Sequence, residues 1–219
     1  MSSTMAPEGF RPYVWSGHVA FISGGASGIG LGLAQALAVR GVRIALNDVR
    51  RDALAEATEA LRRDGAEVFP LIGDVADRQS MKAVADAVEQ RFGNVQYVFN
   101  NAGVGDLGTP LYQEADENFD WMVKVNLQGV FNTIKAFVPR MRAHGEAGHV
   151  VNTSSMAGLV TEAGWNQGIY SATKRAVIGL SLDLRAALQG GKLRVSVLCP
   201  GLVRTDIAAN AEALRPAPS

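Results

Sequence analysis

An open, doubly wound parallel α/β sheet is the fold this sequence predicts, and three observations carry the prediction. Short runs rich in Val, Ile and Phe alternate with helix-length segments along the whole chain. The runs are apolar nearly throughout, rather than at every second residue, as in strands covered on both faces. A glycine-rich turn, SGGASGIG, joins the first run to the first helical segment, where a sheet of this kind can offer backbone N–H groups to an anion.

The elements follow in order. HVAFISG (18–24) reads as the first strand. A helix over 28–40 follows, with Ile29, Leu33 and Leu37 spaced by four on one stripe and Gly41 at its end. VRIALND (42–48) is the second strand, followed by a helix over 51–64 that closes at Gly65. EVFPLIG (67–73) is the third, and Asp77 can cap a helix over 77–92 that ends at Gly93. After VQYVFNN (95–101), Asp116 can open a long helix over 118–144. GHVVNTS (148–154), a helix over 169–189 and LRVSVLC (193–199) complete the alternation. The expected product is one Rossmann-like domain of six or seven strands over residues 18–207. A tail (1–17) precedes it, and 208–219 is expected to be the start of a substrate loop or a shortened C-terminal tail.

Composition narrows the function. With 219 residues, 47% of them hydrophobic, the chain can bury the core of one domain. Its 21 basic residues balance 21 acidic ones, which argues against nucleic acid or an anionic membrane as main partner. Cys199 is the only cysteine, so no intrachain disulfide is possible, and in VSVLC it reads as an inert packed thiol. The N-terminal residues lack the pattern of a signal peptide, and no apolar run reaches the length of a membrane span. A cytoplasmic protein without a metal site is expected.

The chemistry-bearing residues fall at element ends. Gly24, Gly28 and Gly30 permit a tight turn and close backbone approach to a pyrophosphate, with Ser27 and Ile29 between them. Asp48 ends the second strand, where a carboxylate can bind the adenine ribose hydroxyls and repel a 2′-phosphate. NAD is therefore expected over NADP; either Arg50 or Arg51 can reach a phosphate there, and the simpler reading makes them solvated residues at the start of the next helix. In GIYSATKRAV, Tyr170 and Lys174 stand at i, i+4 on one helix face. A phenol titrates near ~10, and an adjacent ammonium would favour its ionised form, making an acid/base pair.

Other motifs occur in a fixed order with these. They are Asp74–Val75, NNAG at 100–103, Asn126 in VNLQG, Ser154–Ser155 in NTSS and PGLVRT at 200–205. Together with the glycine turn and the Tyr/Lys pair they resemble the short-chain dehydrogenase/reductase family, over residues 17 to 207. The resemblance implies a nicotinamide-dependent alcohol dehydrogenase or ketone reductase. It implies Tyr170 as acid/base and Lys174 as the cation that lowers its pKa and holds the nicotinamide ribose. Asn126 would hold a water leading to solvent. A serine of the 154–155 pair, by position Ser155, would hydrogen-bond the substrate oxygen. Asp74 and Val75 would flank the adenine. Asn101, with Ala102 and Gly103, would meet the adenine-side ribose. Pro200, Gly201, Val203 and Thr205 would run along the nicotinamide. The spacing of fifteen positions from Ser155 to Tyr170 is longer than is common in the family, which leaves the choice between the two serines open.

Met156, Leu159, Val160 and Trp165 lie between the serines and the tyrosine, and Val104 and Leu107 follow NNAG. An apolar wall of this kind suits a bulky, uncharged, aryl-bearing alcohol or ketone. FDWMVKVNLQGVF and RVSVLCPGLV are also similar to dehydrogenases that oxidise benzylic alcohols of lignin-type aryl ethers. Surplus apolar residues on two helices predict a homodimer or homotetramer: Phe119, Met122, Val130, Phe131, Ile134 and Phe137 on one, Val177, Ile178, Leu180 and Leu184 on the other. An NADPH-dependent reductase and a dinucleotide sensor without turnover are the rival readings.

Overall fold

A computed structural model describes residues 15–105, 108–161, 164–203, 205 and 213–215. Leu107, most of the N-terminal tail and most of the segment after Thr205 lie outside the described residues. The strands are β1 (Val19–Ser23), β2 (Arg43–Asp48), β3 (Val68–Ile72), β4 (Tyr97–Asn100), β5 (Gly148–Thr153) and β6 (Leu193–Leu198). They form one parallel sheet in the order β3-β2-β1-β4-β5-β6. The order reverses between β1 and β4, so a crevice opens at their carboxyl ends.

Helices α1 (Gly28–Ala38), α2 (Arg51–Arg63) and α3 (Arg78–Phe92) connect the first four strands. The Asp77 carboxylate accepts from the N–H groups of Gln79 and Ser80 and caps α3 as its sequence suggests. Asp116 does not act in this way. Ala115, in extended conformation, precedes α4 (Asp116–Met122), and the Asp116 side chain lies exposed in the first turn. There its charge meets the positive end of the helix dipole without capping it.

The predicted helix over 118–144 is interrupted. Between α4 and α5 (Gly129–His144) lies a π-helical segment, Val123–Gln128. Asn126 sits within it, completely buried. The wider turn lets a polar side chain point into the protein where an α-helical ladder would be uniform. α6 (Gly168–Ala187) runs from the crevice back along the sheet.

The core has two sides. Phe21, Val98 and Val150 pack under α3 and α5 on one face, with Phe21 and Phe137 stacked at 4.3 Å. Ile22, Ile44 and Leu46 pack under α1 and α2 on the other. Each such fully buried side chain contributes about 1.5–3 kcal/mol. The expectation of strands covered on both faces holds for β1, β2 and β4 but fails at the edges: in β6 only Leu193 is buried, and exposed positions then alternate with half-buried ones. Cys199, just past β6, is accordingly partly exposed rather than packed.

The helix faces expected to pair subunits are also reapportioned. Met122, Val130, Phe137 and Val177 are buried within this chain, while Phe119, Phe131 and Leu182 remain exposed.

Candidate active site

A cleft of about 1110 Å³ runs across the carboxyl ends of the strands, from Asp48 at one end to Tyr170 at the other. The glycine turn forms its floor. Gly24 and Gly28 have left-handed backbones, at φ 63 and 53. A Cβ on Gly30 would stand 2.1 Å from the Gly24 carbonyl oxygen, so only glycine lets the turn close. Ser27 precedes α1 without a side-chain cap bond, and the first turn of α1 holds no acidic residue. Its N–H groups and dipole thus face the cleft in a form suited to a diphosphate.

Beyond the turn, the Asp48 carboxylate is buried and accepts from the Ala26 N–H at 3.2 Å. Arg50 does not extend into solvent as expected. Its Nε and Nη2 each reach one Asp48 oxygen at 3.1 Å, and Nη2 also donates to the Ser27 hydroxyl at 2.9 Å. A two-point guanidinium–carboxylate match at a site closed by the glycine turn outweighs solvation of the head group. Arg51 is exposed, as its sequence position suggests.

Asp74 and Val75 line the same end, with the Asp74 carboxylate bonded to the Ala76 N–H at 2.8 Å. Asn132 on α5 holds this loop through the carbonyls of Val75 and Ala76, at 2.9 and 3.2 Å. Asn101, with Ala102 and Gly103, lines the middle of the cleft. Its amide turns to the glycine turn, donating to the Ser23 and Gly24 carbonyls at 3.3 and 3.2 Å. Asn101 thereby braces the turn.

At the far end three elements converge. Ser154 is buried and donates to the main-chain carbonyl of Lys174 at 2.7 Å, so it faces α6. Ser155 lines the cleft near Tyr170, and its Oγ accepts from the Ala157 N–H at 3.2 Å. Of the two serines, the structure turns the second toward the tyrosine. The Tyr170 ring lies against Gly105, where a Cβ would approach it to 3.2 Å.

Lys174 is buried at 3% exposure, and its ammonium donates to the Thr153 carbonyl at 3.1 Å. The Lys174 Nζ stands 5.6 Å from the centre of the Tyr170 ring. Gly103 makes room for it, because a Cβ there would lie 3.0 Å from Nζ and 3.3 Å from Asn126 Oδ1.

The electrostatics differ from the sequence expectation. Burial pushes the Tyr170 phenol above its ordinary value, with the Ser155 hydroxyl acting in the opposite direction. Burial also lowers Lys174 from 10.5 to about 8. Desolvation is the leading cause of both shifts.

Asn126 lies behind the cleft wall. Its Oδ1 accepts from the Val104 N–H, and its Nδ2 donates to the Val104 carbonyl, both at 2.8 Å. The side chain is thus committed to the loop after β4. Pro200, Gly201, Val203 and Thr205 form the opposite rim, with Thr205 lying 3.2 Å from where a Gly28 Cβ would be.

Met156, Val160, Trp165 and Val104 line the cleft as expected, whereas Leu159 does not. Sequence reasoning missed Trp121, Lys124, Gln167 and Arg215. The first two stand three apart, a spacing that puts them on one helix face with each other. Gln167 directly precedes α6. Nothing in the local pattern marks Arg215.

A parallel sheet with a glycine turn under an anion-ready helix, and Ser, Tyr and Lys gathered at one end, defines a dinucleotide-binding oxidoreductase fold. Residues 18–215 match the model of the short chain dehydrogenase family, and the chain belongs to that family. It is 40% identical over 200 residues to the C alpha-dehydrogenase of Sphingobium sp., covering 91% of this chain but only 64% of that protein. It is 39% identical to 1-deoxy-11-beta-hydroxypentalenate dehydrogenase of Streptomyces avermitilis, over 86% of this chain and 69% of that one. A Burkholderia phymatum short chain dehydrogenase/reductase, solved in complex with NAD, superposes with a TM-score of 0.89 at 40% identity. That alignment covers 93% of this chain and 72% of the other. Among the described residues, no helix is long and apolar enough to cross a membrane, and no group of metal-ligating side chains is present.

Proposed function

We propose that this protein transfers hydride between NAD(H) and a secondary alcohol or ketone that is bulky and apolar or aryl-bearing. The observation that carries the reading is the convergence of Ser155, Tyr170 and Lys174 at one end of a cleft that carries the glycine turn at the other. Gly24–Gly30 would hold the diphosphate of NAD and Asp48 its adenine ribose, and the cofactor would supply the hydride acceptor. Ser155 and Tyr170 hold the alcohol oxygen between them, and the phenol takes the hydroxyl proton. Lys174 keeps a positive charge beside the ring and a donor toward the cofactor ribose.

Substrate class follows from the wall. Val104, Met156, Val160 and Trp165 offer apolar contact, which favours an aryl-bearing alcohol over a sugar. Arg215 also reaches the cleft, so carboxylate-bearing alcohols belong in the comparison. One relative's name, hydroxypentalenate dehydrogenase, supports a hydroxyl-bearing substrate, in that protein's case one that also carries a carboxylate. Following NADH absorbance with secondary aryl alcohols, hydroxy acids and sugars tests this reading. Turnover of the aryl alcohols is expected, and a clear preference for hydroxy acids or sugars overturns it.

One observation favours a second reading, use of NADP(H). The Arg50 guanidinium already stands between Asp48 and Ser27, where it can meet a 2′-phosphate. Asp48 still argues for NAD as the preferred form. A homo-oligomer in a reducing cytoplasm completes the proposal, with Phe119, Phe131 and Leu182 as the apolar residues left to cover.

A further inference from the structure

A buried hydroxyl in α6 links the π-helical segment to the tyrosine. Thr173 is 2% exposed and stands three residues after Tyr170. Its hydroxyl donates to the Tyr170 main-chain carbonyl at 2.8 Å and accepts from Asn126 Nδ2 at 3.1 Å. The Asn126 orientation is fixed by chemistry: the Val104 N–H needs an acceptor, so Oδ1 faces it, and Nδ2 is left for the Val104 carbonyl and Thr173. One amide therefore ties the loop after β4 to the first turn of α6, and the Thr173 hydroxyl is the joint.

We propose that Thr173 is a positioning residue, whose hydroxyl fixes the Tyr170 turn of α6 against the π-helical segment and so sets where the phenol stands in the cleft. The proposal rests on the reading of Tyr170 as acid/base. An ordinary first turn would need no such anchor, because its carbonyls bond along the helix. Here the Tyr170 carbonyl also receives a side chain that is itself held by a neighbouring element. The constraint acts on the backbone directly beneath the phenol. It leaves the diphosphate end of the cleft untouched.

Two substitutions separate positioning from packing. Thr173→Val keeps the shape and removes the hydroxyl, whereas Thr173→Ser keeps the hydroxyl and removes a methyl group. With NAD and 1-phenylethanol as probe substrate, Thr173→Val should lower kcat about tenfold or more, the effect of misplacing one acid/base group. Its KM for NAD should stay within about twofold of wild type, and Thr173→Ser should restore kcat.

A second readout needs no substrate. Ultraviolet difference titration against Tyr170→Phe reports the phenol alone. Lys174 stands beside this ring on the same helix, and Ser155, two residues past β5, lines the cleft near it. Loosening the turn admits water, so the midpoint in Thr173→Val should fall toward the ordinary tyrosine value, and Thr173→Ser should hold it near wild type. If wild type fails to turn over the alcohol, the functional reading is in error, while the titration still decides the role of Thr173. Unchanged kcat and titration in Thr173→Val, or equal losses in both variants, overturns the proposal.

Discussion

Lys174→Met should stabilise the cofactor-free protein while removing its chemistry. Lys174 is buried at 3% exposure, and burial lowers its pKa from 10.5 to about 8. The folded state therefore disfavours the ammonium relative to the unfolded chain. At about 1.4 kcal/mol per tenfold change in equilibrium, this costs the fold roughly 3 kcal/mol while both states are protonated. The sign follows from the direction. The penalty is complete below about pH 8, shrinks as pH rises between the folded and unfolded values, and vanishes above about 10.5.

Methionine keeps an unbranched stem of similar reach without the charge. It also forfeits the bond to the Thr153 carbonyl, worth about 1 kcal/mol. The net gain should be about 2 kcal/mol near pH 7 and should disappear, or turn to a slight loss, near about pH 10.5. Urea unfolding of both proteins without cofactor, at the two pH values, measures the difference directly. A variant less stable than wild type near neutrality, or a gain that does not change with pH, would refute the reasoning. Turnover should be lost throughout, because the ammonium beside Tyr170 is gone.

The remaining predictions concern the other parts of the cleft. Tyr170→Phe should abolish turnover, with NAD affinity measured by calorimetry changing less than about tenfold; substantial residual activity would remove Tyr170 as acid/base. Arg50→Ala should lower efficiency with NADP by about tenfold to a hundredfold relative to NAD, the loss of one charge-assisted hydrogen bond. An unchanged ratio of the two efficiencies would show that Arg50 does not meet the phosphate. Sedimentation should find a dimer or tetramer at micromolar protein; a monomer alone would mean that Phe119, Phe131 and Leu182 are simply exposed.

The sequence by itself determined the sheet, because apolar strands and helix periodicity report burial locally. It likewise placed Gly24 and Gly28, since a left-handed turn before a helix leaves its mark as glycine, and Gly30, where a Cβ would strike the Gly24 carbonyl. The spacing of Tyr170 and Lys174 was equally legible, as one helix face is a matter of counting. Tertiary structure decided what those residues meet. Arg50 looks solvated in a linear reading, yet it closes on Asp48 and Ser27 because β2 and the glycine turn come together in space. Met122, Val130, Phe137 and Val177 look like surplus apolar surface until the sheet and neighbouring helices cover them. The π-helical segment around Asn126 has no signature in local propensity, since its polar side chain is satisfied by Val104, 22 positions away, and by Thr173, 47 away. The same holds for charge. An i, i+4 spacing says that two groups share a helix face, but only burial fixes the sign of their pKa shifts, and here desolvation raises the phenol and lowers the ammonium.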